Sequence, residues 1–113
     1  MNNSSNRPKI DDIEMLDSNI ERDVAQLFKA FSSQTRIKIL FALKYKKLTV
    51  SEISQALSMS QSAISHQLRE LKLARLVNYE KHGREIIYEL DDHHVHEIFD
   101  LAIDHVKELY HYE

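Results

Sequence analysis

Val95, Ile98, Phe99, Ala102, Ile103, Val106, Leu109 and Tyr110 fall at helical spacing near the end of this 113-residue chain, an apolar stripe running the whole length of Asp92 to Tyr110. Apolar residues recurring at steps of three and four mark one face of an amphipathic helix. A stripe that long at the end of a chain calls for a partner. A second copy of the same helix, packed antiparallel across a two-fold axis, would supply one.

Beside the stripe stand Asp92 and His94, a DxH pair, and His105 and Glu108, an HxxE pair. At about 1.5 Å rise per residue the two histidines lie roughly 16 Å apart along one helix. A metal ion with bonds of about 2 Å cannot reach both. In an antiparallel pair of helices, however, the DxH end of one chain meets the HxxE end of the other, and symmetry makes two such meetings per dimer. At about 100° per residue His94, His105 and Glu108 share an edge roughly 60° wide. His93, His96 and His111, with Asp100, Asp104 and Lys107, are expected on the opposite, solvated edge. Acids and histidines on a terminal helix are more often a wet face than a binding site, so spacing alone leaves both readings open.

Length suits one domain, and the 42% hydrophobic content is enough for one core. With no cysteine, thiolate metal sites, disulfides and thiol redox switches are all excluded. No apolar run is long enough to span a bilayer and the start lacks a signal-peptide core, which predicts a cytoplasmic protein with no membrane partner. One glycine and one proline predict mostly helical structure. The net charge of −3 conceals a division: residues 1–34 carry −2, residues 35–84 carry +7 and residues 85–113 carry −8. A basic centre suits phosphate contact, and an acidic end suits cations or water.

Residues 1–16 are polar, without sustained period, and read as a flexible arm, leaving 17–113 as the folded domain. Ile20, Val24, Leu27, Phe28 and Phe31 predict a first helix capped by Asp17 or Ser18 and lying along a partner chain. Thr35 to Lys44 predicts a second, with Ile37, Leu40, Phe41 and Leu43 facing the core. After a connection at Lys46, Lys47 and Leu48, Thr49 or Ser51 caps a short helix carrying Ile53, Ala56 and Leu57. Ser58 to Ser60 breaks it, and Ser60 caps a further helix, Gln61 to Arg75, with Ile64, Leu68 and Leu71 inside. Two helices around a three-residue turn make a helix-turn-helix. The second presents Gln61, Ser62, Ser65, His66 and Arg69 at the end that meets base edges in such motifs. Leu76 to Lys81 and Arg84 to Leu90 alternate as strands around His82 and Gly83, a hairpin that turns the motif into a winged helix with Lys81, His82 and Arg84 at its tip. The expected fold is thus mostly α with a small β-hairpin, a winged helix-turn-helix forming a homodimer through its N- and C-terminal helices.

Three stretches in order, AFSSQTRIKIL (Ala30 to Leu40), SQSAISHQLRELKLARLV (Ser60 to Val77) and GREIIYEL (Gly83 to Leu90), resemble the ArsR/SmtB family of bacterial metal-sensing repressors over Val24 to Glu108. Two departures stand out: Ser33-Gln34 where the family often has Asp-Pro, and Arg75 where it often has glycine. The stretch VSEISQAL lacks the cysteines of the family's thiolate sensors. The resemblance implies instead a site shared between C-terminal helices, with Asp92, His94, His105 and Glu108 as metal ligands.

Two imidazoles and two carboxylates suit Zn2+ in a tetrahedral site, with Co2+ as a surrogate, and neutralise a divalent ion. All four ligands must be deprotonated, so affinity is expected to fall as pH drops through the imidazole range near about 6.5. A backbone carbonyl near the end of the recognition helix is the expected acceptor for the second ring nitrogen of His105. The implied function is a zinc-responsive repressor that binds double-stranded operator DNA as a metal-free homodimer and releases it on binding zinc. Lys46, Lys47, Arg69, Lys81 and Arg84 are the expected phosphate contacts. The alternatives are a repressor of the same fold answering to another ligand or to none, and a zinc hydrolase. Four protein ligands leave a hydrolase no open coordination position for water, and no HExxH pattern is present.

Overall fold

In a computed structural model, which describes residues 6–113, each α-helix begins where a short polar side chain can cap it. Asp17 Oδ1 accepts from the N–H groups of Asn19 and Ile20 and starts α1 (Ser18–Ala30). Ser33 Oγ accepts from Arg36 N–H and starts α2 (Gln34–Tyr45). Thr49 and Glu52 exchange side-chain and backbone bonds of 3.1 and 2.9 Å in a capping box that starts α3 (Val50–Leu57). Ser60 caps α4 (Gln61–Leu73), and Asp92 caps α5 (His93–Tyr110). The caps satisfy N–H groups that have no partner inside the helix.

The strands are β1 (Leu48–Thr49), β2 (Val77–His82) and β3 (Glu85–Leu90), antiparallel in the order β1-β3-β2. Pairing of His82 with Glu85 leaves a two-residue loop, and Gly83 occupies its first position at φ 65°, where a side chain would be strained. The expected hairpin is therefore one strand larger: Leu48 pairs with Tyr88 and Thr49 with Ile87, so the connection after α2 also serves as a sheet edge.

Ile39, Leu40, Ile53, Ile64, Leu68, Leu71 and Leu76 are completely buried in one core, closed by Leu43, Val77 and Leu90, with Val95 and Phe99 reaching it from α5. Two expected core faces need correction. On α2, Ile39 is buried, whereas Ile37 and Phe41 are left largely exposed; on α3, Ala56 is exposed and Ile53 carries the packing. Ile37, Ile39, Leu40, Phe41, Ala42 and Leu43 make α2 apolar on every side, so its period selects no face.

Arg75 has φ 60° and ends α4 in a left-handed turn, with Leu76 N–H donating to Leu71 C=O at 2.9 Å. The conformation explains why glycine suits this position and marks the cost of arginine here. Ser58, at φ 54°, makes the helix-turn-helix turn without glycine.

The terminal segments lie largely outside this core. The radius of gyration is 19.1 Å, against about 13 Å for a globular chain of this length. Residues 6–16 are exposed around a short 3-10 turn at Ile10–Asp12; the first five residues of the expected arm lie outside the described residues. Beyond Ile103 every residue of α5 is exposed.

Candidate metal centre and nucleic-acid interface

The recognition face is set by where α4 buries Ile64, Leu68 and Leu71, because the opposite side must then face outward. Gln61, Ser62, His66 and Arg69 are exposed and Ser65 is half-buried, all in the N-terminal two-thirds of the helix. Gln67, beside them, accepts a 2.9 Å hydrogen bond from Arg36 Nε on α2. No sequence pattern points to this bond, since the two residues are 31 positions apart.

Lys81 and Arg84 are exposed at the wing tip, and His82 Nε2 lies 3.2 Å from Glu80. Lys46 is exposed after α2. Lys47 is committed differently, its Nζ lying 3.3 Å from Glu89 on β3, which weakens its claim as a phosphate contact. Where wing and recognition helix meet, the Tyr79 and Tyr88 rings pack 5.4 Å apart with Lys72 over Tyr79. Burial pushes the Tyr88 hydroxyl pKa above its ordinary range, with Tyr79 adding to the shift and Arg69 opposing it.

At the start of α5, Asp92 Oδ1 accepts from His94 N–H at 2.9 Å and from Val95 N–H at 3.2 Å. The Val95 bond, seconded by that of His94 and by the His94 and His93 charges, holds the Asp92 carboxyl below the usual carboxylate range, with burial opposing it. The His94 ring Nδ1 lies 3.6 Å from the same oxygen. The DxH pair is thus brought together. His105 and Glu108 stand exposed on the far half of the same helix, and the structure does not bring them to Asp92 and His94 within one chain. Among the described residues of one chain, no group of three or more His, Cys, Asp or Glu side chains could hold a metal ion. His105 makes none of the side-chain hydrogen bonds of the described residues, so its expected bond to a carbonyl near the end of α4 is not formed within a single chain.

The opposite edge of α5 is less wet than its composition suggests. His96 is half-buried, and Asp100 Oδ1, shielded from solvent, pairs with Lys44 Nζ of α2 at 2.6 Å. Asp100 raises the Lys44 pKa above its ordinary value of 10.5, partly opposed by burial. Lys44 also lies over the rings of Phe41 and Tyr45, and Phe41 packs on Phe99, so α2 and α5 are joined by an aromatic and ionic cluster. No helix of the described residues is long and apolar enough to cross a membrane.

Comparison with known proteins agrees with this geometry. Residues 33–79, from the cap of α2 into the wing, match the family described as bacterial regulatory protein, arsR family. The HTH-type transcriptional regulator NmtR of Mycobacterium tuberculosis is 40% identical over 95 residues, covering 84% of this chain and 79% of that protein. A cadmium resistance transcriptional regulatory protein CadC homolog of Staphylococcus aureus is 38% identical over 88 residues, covering 77% and 73%. The homodimeric winged helix-turn-helix DNA-binding domain of Mb0332 from Mycobacterium bovis superposes with a TM-score of 0.78 at 26% identity, covering 83% of this chain and 88% of that one. The chain belongs to the ArsR/SmtB family of metal-sensing, DNA-binding transcriptional repressors, which are not enzymes.

Proposed function

We propose that this protein is a zinc-responsive repressor of the cytoplasm, a homodimer that holds operator DNA when metal-free and releases it when zinc binds between the C-terminal helices. One observation carries the reading. The distal half of α5 leaves Val106 and Leu109 uncovered, and the two ligand pairs, Asp92 with His94 and His105 with Glu108, sit at opposite ends of that helix, out of reach of each other in one chain. A partner helix covering the apolar stripe supplies what each pair lacks.

The donor set fits the ion. Asp92 uses one oxygen to cap α5, which orients the carboxylate and keeps it ionised, and His94 stands beside it. His105 and Glu108, exposed one turn apart, supply an imidazole and a second carboxylate from the partner. Zinc, when bound, supplies a divalent charge and a demand for four donors, with cobalt as a surrogate. Membership of the family does not name the metal; the hard and borderline donors, with no sulfur, favour zinc. Residues 17–113 form the operating unit, with 1–16 as an arm. Gln61, Ser62, Ser65, His66 and Arg69 meet base edges and phosphates, while Lys81, Arg84 and Lys46, with Lys47 contributing less, meet the backbone.

Release over two to three decades of affinity needs roughly 3 to 4 kcal/mol of coupling per dimer, and by linkage DNA weakens zinc binding equally. The test is a zinc titration of the purified dimer with and without operator DNA selected from genomic fragments. His105→Ala is expected to abolish the zinc response while leaving metal-free DNA binding intact. Release of operator by that variant at saturating zinc overturns the ligand set. The capping bonds of Asp92 favour a second reading, in which that residue serves only to start the helix and another ligand, or none, controls DNA binding; absence of zinc binding by the wild-type dimer selects it.

A further inference from the structure

α2 carries one polar link at each end. Near its start, Arg36 Nε donates to Gln67 Oε1 in the recognition helix at 2.9 Å. Near its end, Lys44 Nζ meets the shielded Oδ1 of Asp100 on α5 at 2.6 Å. The two link residues are roughly 12 Å apart along the helix. Between them Ile39, Leu40 and Leu43 are locked into the core, so α2 moves as a rod or not at all.

On the α5 side the attachment is local. Val95 and Phe99 are buried, Phe99 packs 6.4 Å from the rings of both Phe31 and Phe41, and Asp100 adds the ion pair. Past Ile103 the helix is not covered by its own chain. The candidate ligands therefore flank the attachment, Asp92 and His94 before it and His105 and Glu108 after it. A change in how two α5 helices cross must turn each helix about this anchor.

We propose that α2 is the transmission element of the repressor. Rotation of α5 is passed through Asp100 and Lys44 to α2, and from α2 through Arg36 and Gln67 to the recognition helix. Lys44 and Arg36 are positioning residues: neither touches metal, and Lys44 ties α2 to α5 while Arg36 ties α2 to α4. The ion pair is the part of the anchor that resists sliding, since aromatic contacts tolerate small displacements and a close charge pair does not. This role rests on the zinc reading above, while the anchor itself does not.

Two measurements separate them. Amide hydrogen exchange of metal-free protein reads the anchor: Lys44→Met and Asp100→Asn are each expected to speed exchange in α5 from Phe99 to Asp104 at least tenfold, and Lys44→Arg to restore protection. DNA affinity with and without zinc reads transmission. Both loosened variants are expected to keep metal-free affinity within threefold and the wild-type zinc stoichiometry, yet to lose at least tenfold of the zinc effect; Arg36→Met is expected to lose a similar share with α5 protection unchanged. A full zinc response in Lys44→Met and Asp100→Asn overturns transmission. Unchanged exchange in both overturns the anchor. A wild-type dimer indifferent to zinc overturns the zinc reading and the transmission role with it, whatever the exchange shows.

Discussion

The winged-helix body and the two terminal helices obey different economies of burial. In the body, Ile39, Leu40, Ile53, Ile64, Leu68, Leu71 and Leu76 leave no surface to water, and the cluster closes within one chain. On the terminal helices the apolar periodicity is just as strong, yet Phe28 of α1 is 61% exposed and Leu109 of α5 is 57% exposed. An apolar stripe that its own chain does not cover is information about assembly rather than about folding. The core of the body closes within one chain; the terminal helices become complete in the proposed dimer, and only there can the two ligand pairs meet.

The largest expected effect sharpens the first half of that contrast. Leu68→Ala, which opens a cavity beneath the recognition helix, is expected to cost about 2–5 kcal/mol of stability in denaturant unfolding, independent of protein concentration. A concentration-dependent loss would mean that the body too is completed by a partner. The next effect concerns the other half. Val106→Glu buries a charge in the proposed seam and is expected to weaken dimerisation at least a hundredfold in sedimentation, about 2.7 kcal/mol, while far-UV circular dichroism of the body is unchanged. An unaltered dimer removes α5 from the interface.

Smaller effects probe the edges of each region. Arg84→Ala is expected to lower the slope of log affinity against log salt by about one unit, and Lys47→Ala by less, because Glu89 already holds that ammonium. Equal slopes would show that DNA outcompetes Glu89. The least effect is acidic. Because the folded-state pKa of Asp92 is depressed, its cap stabilises α5 above the ordinary carboxyl value of 3.8 and that contribution is lost as pH falls through the lower folded value. Asp92→Asn is expected to flatten the acid limb of the thermal unfolding profile below about pH 4 and leave the neutral limb's slope unchanged. The Lys44 ion pair behaves oppositely: its raised pKa gives stability below 10.5 that disappears as pH rises through the folded value.

Most of the body was legible in the sequence because its signals are local. Ser60 before Gln61, the spacing of Ile64, Leu68 and Leu71, and the lone Gly83 between two alternating runs each specify their own element. β1 was missed because two residues carry no period, and they become a strand only when Tyr88 and Ile87 are beside them. Helical angle places Asp100 on a solvated edge because it says which residues share an edge, but not that Lys44, 56 positions earlier, waits opposite that edge. The candidate ligands were visible as a pattern for the converse reason. Asp-x-His and His-x-x-Glu are short-range spacings, but whether the two pairs meet depends on a second chain.

That meeting is tested most directly by mixing chains. Chains carrying His94→Ala and chains carrying His105→Ala each form homodimers with both proposed sites broken. Unfolded together and refolded, they give heterodimers in which one site has lost both imidazoles and the other has every ligand. A site shared between chains predicts that such heterodimers, purified by two different tags, bind one zinc ion with the affinity of the wild-type sites, while neither homodimer binds at that strength. Heterodimers that bind zinc no better than the parent homodimers would contradict a site shared between chains.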